Sequence, residues 1–288
     1  MASTTETIRR ERGGPELLVR HWPAAGPAWA AMLIVHGIAE HSGRYEHVGD
    51  GFAAAGIDAW ALDLRGNGGS GGRRAHVDRW SDYLDDVEWR LGAVRREAEG
   101  RPVILLGHSL GGLIALDYAT SGRPTPDLLV LSSPALDSTI PGWKKALARA
   151  LSGIAPTMRI RNALTGDQLS TDPRVGERYF ADPLVERTTT TRLAAEALGS
   201  LDRVARRFDT LAIPTLVFHG DDDSIVPVAA SEALGSLPGV RRVVLPDLRH
   251  ETLNEPSGPE IVADVVRWLR EQVARSEAPS GAATGPSV

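Results

Sequence analysis

The chain alternates short apolar runs with longer amphipathic stretches, and this alternation leaves few folds open. Parallel strands buried under helices on both faces are apolar along their whole length, because neither face meets water. The runs are MLIVH (32–36), IDAWAL (57–62), VILLGH (103–108), LLVLS (128–132), TLVFHG (215–220) and VRRVVL (240–245). The pattern predicts an α/β fold with a mostly parallel sheet flanked by helices, and ELLVRHW (16–22) as an edge strand.

The pattern changes from about Leu136 to Leu201, where no clear strand is predicted. We therefore expect a core of residues 15–135 and 202–275, with 136–201 inserted as a helical cap. Residues 1–14 are expected to be a flexible N-terminus and 276–288 a disordered tail. The cap carries apolar residues near helical spacing, which predicts an apolar underside above the strand ends: Ile140, Trp143, Leu147, Leu151, Ile154 and Met158.

Composition excludes several classes of protein. None of the 288 residues is cysteine, which excludes disulfide frameworks, thiolate catalysis and cysteine-based metal sites. The net charge of −5, with scattered basic residues, argues against nucleic acid as a partner. The longest apolar run, 28–35, is far shorter than the ~20 residues of a membrane span. The polar N-terminus lacks the apolar segment of a signal peptide, so a cytoplasmic location is expected.

The sequence Gly107-His108-Ser109-Leu110-Gly111 follows a predicted strand and precedes an amphipathic stretch. A Gly-x-Ser-x-Gly motif in this context predicts a nucleophile elbow, in which a strained turn presents the serine hydroxyl at the sheet edge. The glycines keep side chains from colliding across that turn. The N–H of Leu110, at the start of the following helix, is placed to stabilise negative charge on an attacked carbonyl.

A serine nucleophile needs a base and an acid that orients the base, in the chain order Ser, Asp or Glu, His. His250 is the only histidine after the aspartates that follow the TLVFHG run. Among those three aspartates, Asp223 is favoured because the apolar Ile-Val-Pro after it would anchor the loop, and Asp222 is the alternative. The second oxyanion donor is expected from the loop after MLIVH, where Gly37 permits a turn that frees the N–H of Ile38; an ordinary strand-to-helix turn is the alternative.

Six segments resemble the monoacylglycerol lipase and lysophospholipase-like α/β-hydrolases, a group also classed with serine aminopeptidases. They are HGIAEHSGRY (36–45), ALDLRGNGGSGGRR (61–74), GHSLGG (107–112), LSTDPRVGERYFADPLV (169–185), HGDDDSIVP (219–227) and RHETLNE (249–255). The resemblance implies Ser109, Asp223 and His250 as the triad and the N–H groups of Ile38 and Leu110 as the oxyanion hole. The chain departs from the family at Ala39, where glycine is usual, and at Asn67, where histidine is usual.

The function expected from these residues is hydrolysis of monoacylglycerols or similar single-chain esters through an acyl-enzyme, without a metal or organic cofactor. The expected partner is a small lipid ester, with transient contact of the cap with a membrane or micelle surface. A general carboxylesterase or lysophospholipase is one alternative. An aminopeptidase-like amide hydrolase, with Glu177 or Asp182 holding a free N-terminus, is another. A binding protein on a hydrolase scaffold is the alternative of a different class.

Overall fold

The computed structural model describes residues 3–10, 13–137 and 140–277. Their strands are β1 (Thr4–Arg9), β2 (Glu16–Trp22), β3 (Ala30–Val35), β4 (Ile57–Leu62), β5 (Val103–His108), β6 (Leu128–Ser132), β7 (Arg159–Arg161), β8 (Thr188–Thr190), β9 (Thr215–Gly220) and β10 (Val240–Leu245). Their helices are α1 (Glu46–Ala54), α2 (Ser81–Glu97), α3 (Leu110–Ala119), α4 (Gly142–Ile154), α5 (Pro173–Ala181), α6 (Thr191–Ala205), α7 (Glu232–Gly235) and α8 (Gly258–Glu277).

Eight of these strands form one sheet in the order β1-β2-β4-β3-β5-β6-β9-β10. The six strands from β4 to β10 in that order are parallel, and β2 and β1 add antiparallel at one edge. The predicted α/β-hydrolase architecture is therefore confirmed, and all six apolar runs are strands of the sheet. Because the parallel strands run the same way, the loops that follow β3, β5, β9 and β10 meet at one edge.

Helices cover both faces of the sheet, which explains why its central strands are apolar throughout. In β3, Leu33 and Val35 pack with α2, α3 and α6 on one face, whereas Met32 and Ile34 pack with α1 and α8 on the other. All six residues of β3 are buried. Within the described residues, no helix has the length and apolar character needed to cross a bilayer.

The N-terminal edge of the sheet differs from the expectation. Residues 1–14 were expected to be a flexible N-terminus, yet Thr4–Arg9 form β1 and pair with residues 16–21 of β2. The predicted edge strand β2 is therefore second in the sheet. Almost every side chain of β1 is exposed, so the strand is held by backbone pairing and carries no hydrophobic period to be read.

The excursion between β6 and β9 contains α4, α5 and α6 together with a two-stranded antiparallel sheet of β7 and β8. That short pair was not predicted, since three-residue strands of exposed or polar residues leave no pattern. The expected boundary at 201/202 falls inside α6. Leu193 and Val204 of α6 are buried in the same core cluster as α3, so this helix is part of the layer that covers the sheet. Of the tail predicted over 276–288, Ser276 and Glu277 are the last residues of α8, and the part from 278 onwards lies outside the described residues.

Candidate active site

Ser109 occupies the turn between β5 and α3 in a backbone conformation that L-residues rarely adopt, with φ 51° and ψ −118°. Such a conformation costs of order 1–3 kcal/mol and persists only when its surroundings enforce it. Here the Ser109 N–H donates to Ser132 O (3.0 Å), and the Ser109 carbonyl accepts the N–H groups of Leu113 and Ala135. The nucleophile candidate is therefore held from both sides of its peptide.

The two glycines of the motif are needed because the backbone passes too close for a side chain. A Cβ on Gly107 would lie 2.3 Å from Gly111 O, and a Cβ on Gly111 would lie 2.1 Å from Val35 O. Real Cβ atoms essentially never approach backbone atoms this closely. The backbone of the elbow at Gly111 therefore lies directly against the end of β3, the strand that leads into the predicted oxyanion loop.

The structure brings Ser109, His250 and Asp223 into one hydrogen-bonded chain. Ser109 Oγ donates to His250 Nε2 at 2.9 Å, and His250 Nδ1 donates to Asp223 Oδ2 at 2.7 Å. All three residues are buried. This arrangement has the geometry of a nucleophile, a base and an orienting acid.

Asp223 is the aspartate of the acidic run that turns inward. Its Oδ1 accepts the N–H groups of Ile225 and Val226, both at 2.9 Å. Its Oδ2 accepts from His250 and from His219 Nε2 at 3.1 Å. Burial by itself would raise the pKa of Asp223, but hydrogen bonds from His219 and His250 outweigh it and hold the pKa well below its usual range. The group is therefore a carboxylate at neutral pH.

The other two aspartates of the run point elsewhere. Asp222 has a side chain that is 67% exposed and lies 3.5 Å from Arg249 Nε. Asp221 accepts the backbone N–H of Asp247. Neither has a hydrogen bond to His250 among the described residues. His219, which sequence reasoning did not single out, contacts Asp223 from the end of β9. The one sequence signal for this contact was that His219 lies four residues before Asp223.

The backbone N–H groups of Ile38 and Leu110, the two predicted oxyanion donors, have no protein acceptor in the described residues. Leu110 is the first residue of α3, whose leading N–H groups have no partner within the helix. Gly37 lies against the elbow, because a Cβ added to it would be 3.2 Å from the Ser109 Cβ. The pair has the character expected of an oxyanion hole.

The two departures from the family pattern have different structural consequences. Ala39 has φ 66°, a left-handed conformation that favours glycine, and its carbonyl accepts the N–H of Glu186. Asn67 is buried; its Nδ2 donates to Arg65 O at 3.1 Å, while its Oδ1 has no partner within the described part of the chain. Neither side chain has a hydrogen bond to Ser109, His250 or Asp223 in that part.

His108, beside the nucleophile in sequence, is buried with its ring 4.9 Å from that of His250. Burial, and then the proximity of His250, lowers the pKa of His108 to about 4. Its Nδ1 donates to Ser132 O, and its lowered pKa keeps the ring uncharged at neutral pH where it lies beside the candidate base. Across the described residues, no group of three or more His, Asp or Glu side chains is arranged to hold a metal ion.

Comparison with known proteins gives matches over most of the chain. The family model described as serine aminopeptidase, S33, matches residues 26–257. A monoacylglycerol lipase of Mycolicibacterium smegmatis is 35% identical, over 89% of this chain and 94% of its own length. Phospholipase YtpA of Bacillus subtilis is 31% identical, over 71% and 80%. The crystal structure of a Paleococcus ferrophilus monoacylglycerol lipase superposes with a TM-score of 0.81 at 29% identity, covering 89% of this chain and 99% of that one.

Proposed function

Since the chain belongs to the serine aminopeptidase S33 family of α/β-hydrolases, we propose that it cleaves monoacylglycerols to fatty acid and glycerol, with Ser109, Asp223 and His250 as its triad. The observation that carries the proposal is the hydrogen-bonded chain from Ser109 Oγ through His250 to Asp223. The monoacylglycerol lipases among its relatives support the substrate class.

The reaction passes through an acyl-enzyme. Ser109 Oγ attacks the ester carbonyl while His250 Nε2 takes its proton, and the N–H groups of Ile38 and Leu110 stabilise the oxyanion. His250 then protonates the glycerol oxygen as the ester bond breaks. A water molecule, deprotonated by His250, attacks the acyl carbon, and the proton returns to Ser109 as the fatty acid leaves. Asp223, ionised throughout, stabilises the cationic form of His250.

The excursion over residues 136–201 serves as the cap, and its helix α4 contacts the lipid surface. Seven of the eight large apolar side chains that the described residues expose lie between Ile140 and Leu184. Helix α4 buries the small Ala148 and Ser152 and leaves Trp143 66% exposed. This reverses the usual arrangement of an amphipathic helix on a core. The apolar residues predicted for the underside of the cap therefore do not simply cover Ser109. Together with Lys144 on the same helix, they fit the boundary of a membrane or micelle.

The phospholipase among the relatives makes a single-chain phospholipid the second candidate substrate. The residues considered for peptidase activity favour it less. Asp182 accepts a hydrogen bond from His41 Nε2 at 2.8 Å, so its carboxylate is already engaged. Glu177 lines a surface cavity with Asp167, Phe180 and Arg249, whose lining contains no residue of the proposed triad.

The test is a hydrolysis panel with wild type and Ser109→Ala. Monoacylglycerols of increasing chain length, triacylglycerols, lysophospholipids and aminoacyl amides are compared at equal concentration. We expect monoacylglycerols to be cleaved best, with efficiency rising from very short to medium chains, since each buried methylene contributes ~0.8 kcal/mol. Ser109→Ala should lower kcat by about 10⁶-fold. Faster hydrolysis of lysophospholipids or amides than of monoacylglycerols would reject the proposed substrate. Activity of Ser109→Ala within tenfold of wild type would reject Ser109 as the nucleophile.

A further inference from the structure

A buried guanidinium joins the two loops on either side of the proposed nucleophile. Arg44 donates to both carboxylate oxygens of Glu251 (Nη1–Oε1 2.7 Å, Nη2–Oε2 2.6 Å) and to Glu40 Oε2 through Nη1. The exposed fractions of the Arg44, Glu40 and Glu251 side chains are 10%, 3% and 4%. Glu40 belongs to the loop after β3, and Glu251 follows His250 directly. Arg44 therefore links the oxyanion loop to the histidine loop.

At the oxyanion end, Glu40 holds the peptide group between His36 and Gly37, one residue before the N–H of Ile38. Its Oε1 accepts the N–H of Gly37 at 2.6 Å and the hydroxyl of Tyr45 at 2.8 Å. Burial would raise the pKa of Glu40, but Arg44 and then His108 lower it to about 2, so the acceptor is charged at any working pH. The N–H of Gly37 is thus engaged, whereas the N–H of Ile38 has no acceptor in the described part of the chain.

His36 holds the same turn from the other side. Its Nε2 accepts the N–H of Leu64 at 2.9 Å, so its proton is on Nδ1, which donates to Gly37 O at 2.7 Å. That carbonyl and the N–H of Ile38 belong to one peptide group and point in opposite directions when the bond is trans. Anchoring Gly37 O therefore sets the direction in which the Ile38 N–H points.

At the histidine end, Glu251 is fixed by its backbone and its side chain. Its N–H donates to Leu169 O at 2.8 Å, and its Oε2 also accepts from Asn254 Nδ2 at 2.9 Å. The ring of Tyr179 covers the guanidinium of Arg44 at 4.6 Å. Arg44 thus has a charged partner on each loop, and the aromatic ring of Tyr179 from α5 packs against its guanidinium.

We propose that Arg44 is a positioning residue that sets the separation of the oxyanion donor Ile38 from the base His250. This inference rests on the proposed function of those two groups. Burying one guanidinium and two carboxylates is a poor means of stabilising a protein, because well-packed apolar residues of similar volume are often as good or better. What a bidentate Arg–carboxylate pair adds is fixed geometry. A misplacement of 1 Å between reacting groups can cost about 100-fold in rate.

The test compares three variants at a temperature where each is folded. Glu251→Gln keeps the shape but loses the charged bidentate contact. Arg44→Lys keeps the charge but loses the planar fork. The matched control is Asp86→Asn, since Asp86 is also fully buried and bidentate with an arginine, Arg65, but belongs to α2. Thermal unfolding gives the stability of each variant, and kcat and KM are measured with a monoacylglycerol and with 4-nitrophenyl butyrate.

Glu251→Gln and Arg44→Lys should each lower kcat by about 10- to 100-fold with KM within threefold, whereas Asp86→Asn should lower the melting temperature and leave kcat within twofold. The inference is overturned if the first two variants keep kcat within twofold of the control. If wild type cleaves the nitrophenyl ester but not the monoacylglycerol, the proposed substrate fails and the nitrophenyl ester decides on Arg44. If Ser109→Ala keeps wild-type activity on both, the triad and the role of Arg44 fall together.

Discussion

Replacing Asp223 by asparagine should disable the proposed base without disturbing the fold, and the hydrogen bonds determine how. Asparagine offers one acceptor and one donor in place of two acceptors. If its NH₂ took the place of Oδ1, it would face the backbone N–H groups of Ile225 and Val226, which cannot become acceptors. Leaving a buried donor such as the N–H of Val226 without a partner costs about 1–3 kcal/mol. The amide will therefore keep its oxygen toward the backbone and present NH₂ to His250.

A donor at that position forces the wrong tautomer on the base. His250 Nδ1 must then accept, so the ring proton moves to Nε2, which can no longer take the proton of Ser109. The same change in a well-studied triad lowers kcat by about 10⁴-fold, which corresponds to about 5 kcal/mol of transition-state stabilisation. We expect a loss of this size for Asp223→Asn at pH 7.

Asp222→Asn is the matched control, because Asp222 is the adjacent residue of the same type with a largely exposed side chain. Its only ion pair in the described residues spans 3.5 Å to Arg249, so we expect kcat within twofold of wild type. Both variants are assayed on one monoacylglycerol, with circular dichroism as the check on folding. If Asp222→Asn is the more damaging, or if Asp223→Asn stays within tenfold of wild type, the assignment of the orienting acid is refuted.

Three further predictions concern the surface, the oxyanion turn and acid stability. Trp143→Ser should weaken binding to anionic lipid vesicles by about tenfold in co-sedimentation, whereas Val244→Ser, at an exposed apolar residue of β10, should have no effect. Equal binding by the two variants would contradict lipid contact through α4. Ala39→Gly should raise the free energy of unfolding in urea by up to about 1 kcal/mol, because φ is 66°, while Ala93→Gly on α2 should lower it; a loss at Ala39 would refute the strain. The free energy of unfolding should fall by on the order of 3 kcal/mol between pH 6.5 and about 4, because the pKa of His108 is lowered to about 4 in the fold while the unfolded chain takes up the proton at higher pH. An equal fall in the His108→Gln variant would assign the effect to other groups.

Much of the fold could be predicted from the sequence because it depends on local patterns. Continuous apolar runs indicate strands covered on both faces, and Gly107-His108-Ser109-Leu110-Gly111 indicates a turn that few other residues would allow. Because parallel strands run in the same direction, the loops after β5, β9 and β10 then lie at one edge of the sheet. Ser109, the acidic run at 221–223 and His250 could be expected to meet there before any coordinate was known.

Other features depend on contacts between residues far apart in sequence, and only the tertiary structure decided them. The Ile-Val-Pro after the acidic run favours Asp223 over Asp222, but the hydrogen bonds that distinguish the two side chains form only in the folded chain. Strand β1 is held by backbone pairing, which leaves no side-chain pattern. The apolar residues of α4 have helical spacing whether they face the core or the solvent, and only the structure shows that α4 buries Ala148 and Ser152 instead. Arg44 reaches Glu251 across 207 positions of the chain, and a link of that kind exists only once the loops after β3 and β10 have come together.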